Sequence, residues 1–273
     1  MLPMHDVILR PDQQIVLDRF MNACQQDDRV IAAFLGGSYA SGTSDAYSDL
    51  DINLITSDVS FDDFWDNRIT FMRKLGEPAF MENFGTPNIV CYILDNGVEG
   101  DLVIGRESQF ETIHTGPYRV LLDKKDILKG AVFNRRPPDP DDQIETLRRM
   151  ITWFWHDWVH FTTALRRGQL WWAQGQLEML RGYCISLLRL QNDFSDHEAG
   201  DEPYFKIEKA ISVEQLSRLE ATFGPLERRH LYQAGKVVAG MYKDLAPSLA
   251  HAHGISYPLN LEMVLMKRLE PID

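Results

Sequence analysis

One stretch, residues 36–51, limits what this chain can fold into more than any other part of it. Its sequence is Gly-Gly-Ser-Tyr-Ala-Ser-Gly-Thr-Ser-Asp-Ala-Tyr-Ser-Asp-Leu-Asp, and it lies between two apolar runs, 30–35 and 52–55. We predict a buried strand, a glycine turn, a short helix and a second strand that begins at Asp49. Side chains alternate between the two faces of a strand, so Asp49 and Asp51 would share one face.

Two carboxylates on one face repel each other, and both stay ionised only if a cation lies between them. Such a pair suits Mg²⁺, which takes oxygen ligands and is commonly held together with substrate phosphates. Gly37 and Ser38 in the turn would offer backbone N–H groups and a hydroxyl to those phosphates. The alternative is a turn whose aspartates cap a helix or face solvent. A cap does not need two acids on one face followed by an apolar strand.

The composition is that of a soluble protein with one large or two ordinary domains. The chain has 273 residues, of which 25% are charged and 44% hydrophobic. A formal net charge of −12 argues against an extended nucleic-acid interface. The three cysteines have neither metal-binding nor redox-motif spacing. We see no signal peptide and no membrane-length apolar run, so we expect a cytoplasmic protein without a membrane partner.

The pattern of the chain changes at a proline-rich segment, residues 134–142. Before it we predict a mixed sheet of four or five strands with flanking helices, in a domain of residues 1–136. After it we predict a helical bundle, residues 140–273, so the fold class is α+β. The main elements predicted in the first domain are helices 11–26 and 61–75, a β-hairpin over 88–104 and a strand at 118–122. The helices predicted in the second domain are 143–167, 170–190, 212–223, 225–245 and 257–269.

The order of strand, glycine turn and paired acids resembles the nucleotidyltransferase superfamily that includes DNA polymerase beta. The resemblance lies in Gly37-Ser38, in residues 47–51 (Tyr-Ser-Asp-Leu-Asp) and around Gly100-Asp101. It implies that the aspartates bind the Mg²⁺ ions that carry a nucleoside triphosphate, with a third carboxylate from a later strand. The expected catalytic and metal-binding residues are Asp49, Asp51 and Asp101, and the expected nucleotide-binding residues are Gly37, Ser38 and Ser48.

Two roles remain open for Asp101. It would either complete the metal site or take the proton from the acceptor hydroxyl. A plain turn residue after Gly100 is the alternative without function. Glu99 is the competing acid, which we expect on the opposite face of the strand.

The two-domain layout resembles the antibiotic nucleotidyltransferases of the lincosamide and aminoglycoside branches. The resemblance implies transfer of a nucleoside monophosphate, with ATP as the expected donor of AMP, to a hydroxyl of a small antibiotic-like molecule. The helical half would recognise that acceptor. A protein or RNA acceptor and a non-catalytic, antitoxin-like module are the alternatives. The sequence leaves open whether a homodimer shares the site.

The helical half contains a second motif, His156-Asp157-x-x-His160. Two histidines four residues apart share a helix face, as in zinc metalloproteases, but an aspartate replaces the usual glutamate. Its shorter side chain reaches a zinc-bound water poorly, and no third ligand is recognisable. We therefore interpret these residues as polar positions on the bundle surface, within reach of the acceptor if this helix faces it. The neighbouring tryptophans are predicted to be mostly core, with one or two available as an acceptor platform.

Overall fold

The computed structural model describes residues 9–134 and 139–267. The chain divides into two compact units, with the boundary between residues 136 and 137. Residues 1–8, the middle of the proline-rich segment (135–138) and the end of the last predicted helix (268–273) lie outside the described residues. Within the described part, no helix combines the length and apolar character needed to cross a bilayer.

The N-terminal unit is built on a six-stranded mixed sheet with the order β3-β4-β5-β2-β1-β6. The strands are β1 Val30–Leu35, β2 Ile52–Thr56, β3 Pro78–Glu82, β4 Ile89–Leu94, β5 Glu99–Arg106 and β6 Arg119–Asp123. The helices of this unit are α1 Pro11–Gln26, α2 Gly37–Ser41, α3 Phe61–Asp66 and α4 Arg68–Met72. Of the described strand pairs, β2 and β5 run parallel and the other four pairs are antiparallel.

The parallel pairing of β2 with β5 aligns the predicted carboxylates. Ile52 is in register with Leu102, so the residues that precede them, Asp51 and Asp101, lie side by side at one end of the two strands. On the other side of β5, Cys91 is in register with Asp101. The sheet therefore brings together residues that are fifty positions apart in the sequence.

Apolar side chains cover one face of this sheet and the part of the other face formed by β1 and β2. One buried cluster joins Phe20 of α1, Phe64 of α3 and Phe71 of α4 to strand residues such as Leu54. A smaller cluster covers the other face of β1 and β2. These two layers hold the strands so that their ends are placed rigidly.

The C-terminal unit is helical, as predicted. Its helices are α5 Pro140–Arg166, α6 Leu170–Asn192, α7 Glu198–Asp201, α8 Ile207–Ala210, α9 Val213–Glu220, α10 Arg228–Ala252 and α11 Leu259–Met266. The three longest, α5, α6 and α10, share one buried cluster. In it the Tyr242 ring stacks on Phe154 with 3.6 Å between ring centroids, and Trp155 and Trp158 are fully buried.

The fold class is confirmed, but three details of the prediction are wrong. The helix predicted over 61–75 is broken at Asn67, whose side-chain amide donates to the Asp63 carbonyl (2.8 Å) and competes with the helical backbone. The sheet has six strands, whereas four or five were predicted. The strand that was missed is the half-exposed edge strand β3, which carries no clear alternation. Helix α10 passes through Pro247, since burial of its neighbours Ala246 and Leu249 outweighs the cost of a proline in a helix.

Close packing of α10 on α5 gives a test of the helical core. A Cβ added to Gly235 would lie 2.3 Å from Cε1 of Phe161, whose ring is fully buried. We expect Gly235→Ala to destabilise the unit by roughly 1–3 kcal/mol through overpacking. Urea unfolding followed by tryptophan fluorescence measures this, because five of the six tryptophans follow residue 150.

Gly240 provides the matched control on the same helix, because a Cβ there meets nothing within 4 Å. Gly240→Ala should leave the stability unchanged or raise it by up to about 1 kcal/mol. Equal effects of the two substitutions would contradict the packing described for α5 and α10.

Candidate active site

The glycine turn after β1 is pressed against Asp51. The Gly36 N–H donates to the Asp51 carbonyl (3.0 Å). Gly37 has a φ of +56°, and a Cβ at this position would lie 1.9 Å from Oδ2 of Asp51. Both the backbone conformation and the lack of space therefore require glycine here.

The segment 49–51 precedes β2, whereas the sequence predicted that the strand would begin at Asp49. Its backbone is nevertheless held by defined partners. The Leu50 N–H donates to the Glu99 carbonyl (2.8 Å), and the Tyr92 hydroxyl donates to the Leu50 carbonyl (2.7 Å). A Cβ on Gly100 would lie 2.1 Å from that same carbonyl oxygen, so β5 approaches the segment as closely as a glycine permits. The aspartates thus project from a backbone that is fixed on both sides.

The three predicted carboxylates share one electrostatic environment. Burial, and after it the charges of Asp49 and Asp101, together raise the pKa of Asp51 to about 6, against a lowering contribution from the Asp101 N–H. The pKa of the Tyr92 hydroxyl is also raised, first by burial and then by the same three carboxylates. Asp49, Asp51 and Asp101 therefore lie close enough to repel one another.

The three carboxylates do not by themselves form a complete metal site. Among the described residues, no three His, Cys, Asp or Glu side chains converge closely enough to form a ready-made metal site. The charges of Asp49 and Asp101 nevertheless add to the effect of burial in raising the pKa of Asp51, so negative charge is concentrated at this point. Oxygen donors of this kind fit Mg²⁺, which is commonly bound by one or two carboxylates and completed by substrate phosphates and water.

The Ser38 hydroxyl lies in the glycine turn, next to these carboxylates in the site. Its Oγ is shielded from solvent and has no hydrogen-bond partner among the described residues. Buried hydroxyls are nearly always bonded, so this one is available to a ligand or a water at the start of α2. The N–H groups in the first turn of a helix also lack partners within the helix.

Ser48 lies in the loop that connects α2 to the aspartates. Its hydroxyl accepts from the Asp45 N–H (2.9 Å) and donates to the Asp45 carboxylate (3.3 Å). The carbonyl of Ser48 accepts from Nε2 of Gln13 (2.7 Å). Ser48 therefore takes part in shaping this loop, and its contact with a nucleotide stays a prediction.

Gln13 is a residue of the site that sequence reasoning missed. It is fully buried on α1, where its side-chain oxygen accepts from the Tyr39 hydroxyl and from the Arg10 N–H. Through Ser48 and Tyr39 it ties α1 to both ends of the loop. The available signal was a polar residue on the apolar face of a helix.

A cleft of about 230 Å³ opens beside the carboxylates, and Asp49, Glu99 and Asp101 all line it. The prediction that Glu99 faces away from Asp101 is wrong, because residues two apart on a strand share a face. Cys91 also lines the cleft. Burial, and after it the neighbouring Asp101 carboxylate, raises the pKa of its thiol to about 11. The residues around this cleft include no lysine or arginine, so its potential is negative.

The histidine motif of the helical unit is arranged around a buried acid. Asp157 accepts from the Tyr183 hydroxyl (2.8 Å) through one oxygen and pairs with Nδ1 of His156 (2.8 Å) through the other. The rings of His156 and His160 are in contact, with 4.7 Å between centroids. Asp157 thereby links α5 to α6, which is a structural use of this motif.

The raised pKa of Asp51 leads to a prediction for stability. Because its pKa of about 6 in the folded protein exceeds the ordinary value of 3.8, the stability that this group contributes at low pH is lost as the pH rises through 6. Asp51→Asn should therefore be more stable than the wild type by roughly 2–3 kcal/mol at about pH 8, and should lose this advantage below about pH 4. Urea unfolding across this range, without divalent cations, measures the difference.

Asp95→Asn is the control, because Asp95 is exposed in the β4–β5 turn and does not line the cleft. It measures the effect of the same substitution outside the cleft, so the difference between the two variants isolates the contribution of Asp51. A stability difference for Asp51→Asn that is independent of pH would show that the carboxylates do not repel as described.

No curated protein sequence matches this chain closely enough to count as a relative. Among solved structures, the crystal structure of an aminoglycoside 6-adenyltransferase from Bacillus subtilis is similar over 96% of this chain and 98% of that chain, with 14% identity and a TM-score of 0.39. That structural similarity is too low to support an argument about the site.

The sequence profile of the streptomycin adenylyltransferase family matches residues 10–270. The match includes the glycine turn, the two aspartates, Asp101 and the helical unit. It confirms the resemblance to the nucleotidyltransferase superfamily, which residues 36–51 indicated, and to the aminoglycoside branch, which the two-domain layout indicated. The chain therefore belongs to the streptomycin adenylyltransferase family.

Proposed function

We propose that this adenylyltransferase transfers AMP from ATP, with Mg²⁺, to a hydroxyl of an aminoglycoside or lincosamide antibiotic and so acts in antibiotic resistance. One observation supports the donor half above all. The Gly37 turn, with its unpaired Ser38 hydroxyl, is packed directly on the carboxylate of Asp51. A phosphate-binding turn and a cation-binding acid are thus combined in one contact.

The donor would be held by both groups. Ser38 and the N–H groups of the turn would bind the β and γ phosphates of ATP, and Ser48 is proposed to contact the nucleotide from the adjoining loop. Asp49 and Asp51 would hold Mg²⁺ together with the phosphates, and Asp101 is the third candidate ligand. The ion, when bound, would neutralise charge on the triphosphate. This neutralisation would also relieve the repulsion that raises the pKa of Asp51.

The transfer forms one bond at the α-phosphorus and breaks one. The acceptor oxygen attacks the α-phosphorus of ATP, the bond from that phosphorus to the bridging oxygen breaks, and pyrophosphate leaves. The proton of the acceptor hydroxyl must go to a base. Asp101 lines the open cleft beside Asp49 and is proposed as that base.

The experiment is incubation of the purified chain with MgATP and a panel of aminoglycosides and lincosamides. Mass spectrometry should show one acceptor that gains AMP, with pyrophosphate formed in equal amount. Asp49→Asn and Asp51→Asn should each lower the rate by roughly 100-fold or more, because the metal-bound phosphates lose a ligand. Asp95→Asn should transfer AMP at the wild-type rate.

An AMP adduct on protein or RNA, seen with labelled ATP in a lysate but never on a drug, would show that the acceptor belongs to another class and that the transfer reaction is as proposed. Failure of the wild-type chain to transfer AMP to any acceptor, while the aspartate variants behave like the wild type, would favour a non-catalytic module.

A separate prediction distinguishes the two roles of Asp101. If Asp101 is the base, Asp101→Asn should lower kcat by roughly 100-fold while MgATP binds as tightly as to the wild type. Calorimetric titration with a non-hydrolysable ATP analogue and Mg²⁺ measures the binding. Loss of that binding in Asp101→Asn would assign the residue to the metal site instead.

A further inference from the structure

The helical unit contains a larger cleft, of about 630 Å³, that lies wholly within residues 149–204. It is formed by α5, α6 and the segment that includes α7. Clefts of about this volume are typical of sites for small organic molecules. None of the carboxylates of the N-terminal unit contributes to it.

Aromatic side chains line this cleft and remain open to solvent. Trp153 is 51% exposed and Tyr204 is 42% exposed, whereas Trp155 and Trp158 on the same helix as Trp153 are fully buried. Tyr183 also lines the cleft, and its ring is fixed by the hydrogen bond from its hydroxyl to Asp157. Exposed aromatic faces in a concave surface attract organic cations and the C–H surface of rings.

A carboxylate with a fixed position lies among these rings. Glu178 accepts from the Tyr204 hydroxyl through one oxygen and from Arg181 through the other. Arg181 is fully buried and is itself held by Thr222, with its Nε donating to the hydroxyl (2.7 Å). The Glu178 side chain nevertheless stays 46% exposed. Its remaining lone pairs are therefore oriented by the protein and open to a ligand.

The charged residues that line the cleft have a negative excess. They are two carboxylates, those of Glu178 and Asp201, and one guanidinium group, that of Arg149. A cation is favoured over an anion in such surroundings.

Gly182 leaves the cleft open at the middle of α6. Glycine in a helix interior costs stability relative to alanine. A Cβ at this position would meet nothing within 4 Å, so packing inside the protein does not require glycine. The missing side chain instead adds to the space of the cleft, which Gly182 lines.

We propose that this cleft binds a ring-bearing organic cation, with its ring against Trp153 and Tyr204 and its ammonium or guanidinium group on Glu178. Aminoglycosides have this chemistry, so the assignment of the cleft to the acceptor rests on the proposed function. It gives Glu178 and Gly182 the role of selecting the acceptor, at a distance in the sequence from the residues proposed for the chemistry.

The test is calorimetric titration of the full chain with streptomycin, and with benzyltrimethylammonium as a simple ring-bearing cation, in the absence of nucleotide. Gly182→Leu should weaken binding by roughly tenfold or more, because the new side chain fills the cleft. Gly175→Leu is the matched control, because Gly175 lies two turns earlier on α6, meets nothing within 4 Å and does not line the cleft. It should bind like the wild type, and thermal unfolding should show both variants folded.

Glu178→Gln is the second variant, should Gly182→Leu fail to fold, and it should also weaken binding by roughly tenfold. Wild-type affinity in folded Gly182→Leu or Glu178→Gln, or no binding of either cation to the wild type, would overturn the proposal. The proposed function is judged separately. AMP transfer to the drug with an unchanged KM in Gly182→Leu would contradict acceptor binding in the cleft and support the proposed activity. Loss of binding in Gly182→Leu, with no transfer by any variant, would support ligand binding in the cleft and contradict the proposed activity.

Discussion

The approach of the Gly37 backbone to the Asp51 carboxylate is the contact on which the site of the N-terminal unit depends. It leaves no room for a side chain, and the Gly36 N–H fixes it by its bond to the Asp51 carbonyl. Asp51 is buried at this contact, and burial together with the charges of Asp49 and Asp101 raises its pKa to about 6. The unpaired Ser38 hydroxyl lies in the same turn. A group that brings both phosphate oxygens and a cation would satisfy all of these features together.

Sequence reasoning found the local part of this site and missed the part that depends on distant contacts. The glycine turn and the paired aspartates form one continuous pattern, so they could be identified without a structure. The roles of Gln13 and Tyr92 could not be predicted, because their partners in the loop lie 35 and 42 residues away, although a polar residue on the apolar face of α1 was a signal that Gln13 has a buried partner. Glu99 is a different case, since strand alternation alone would have placed it beside Asp101. The contact of Cys91 with Asp101 follows from the β4–β5 register, which the predicted hairpin did not specify.

In the helical unit too, sequence reasoning missed the surface features that depend on contacts between helices. Periodicity predicted long helices whose tryptophans are mostly core. Trp155 and Trp158 are buried as expected, but the prediction is wrong for the other three tryptophans of this unit, Trp153, Trp171 and Trp172, which are exposed. Periodicity did not predict that Trp153 would stay half exposed beside a cleft, because that depends on Gly182 of the next helix and on Tyr204 beyond it. Two helices were also predicted with the wrong extent, one too short at Pro247 and the other too long across Asn67. Pro247 is accommodated within α10, whereas Asn67 breaks the predicted helix through one side-chain hydrogen bond.

The central claim is that the Gly37 turn and the adjoining carboxylates form one site for a metal-bound triphosphate. A crystal structure of the chain with Mg²⁺ and a non-hydrolysable ATP analogue tests it most directly. The account predicts phosphate oxygens on the Ser38 hydroxyl and Mg²⁺ between the triphosphate and Asp49 and Asp51. A triphosphate bound away from the turn, or Mg²⁺ without contact to either aspartate, would contradict it.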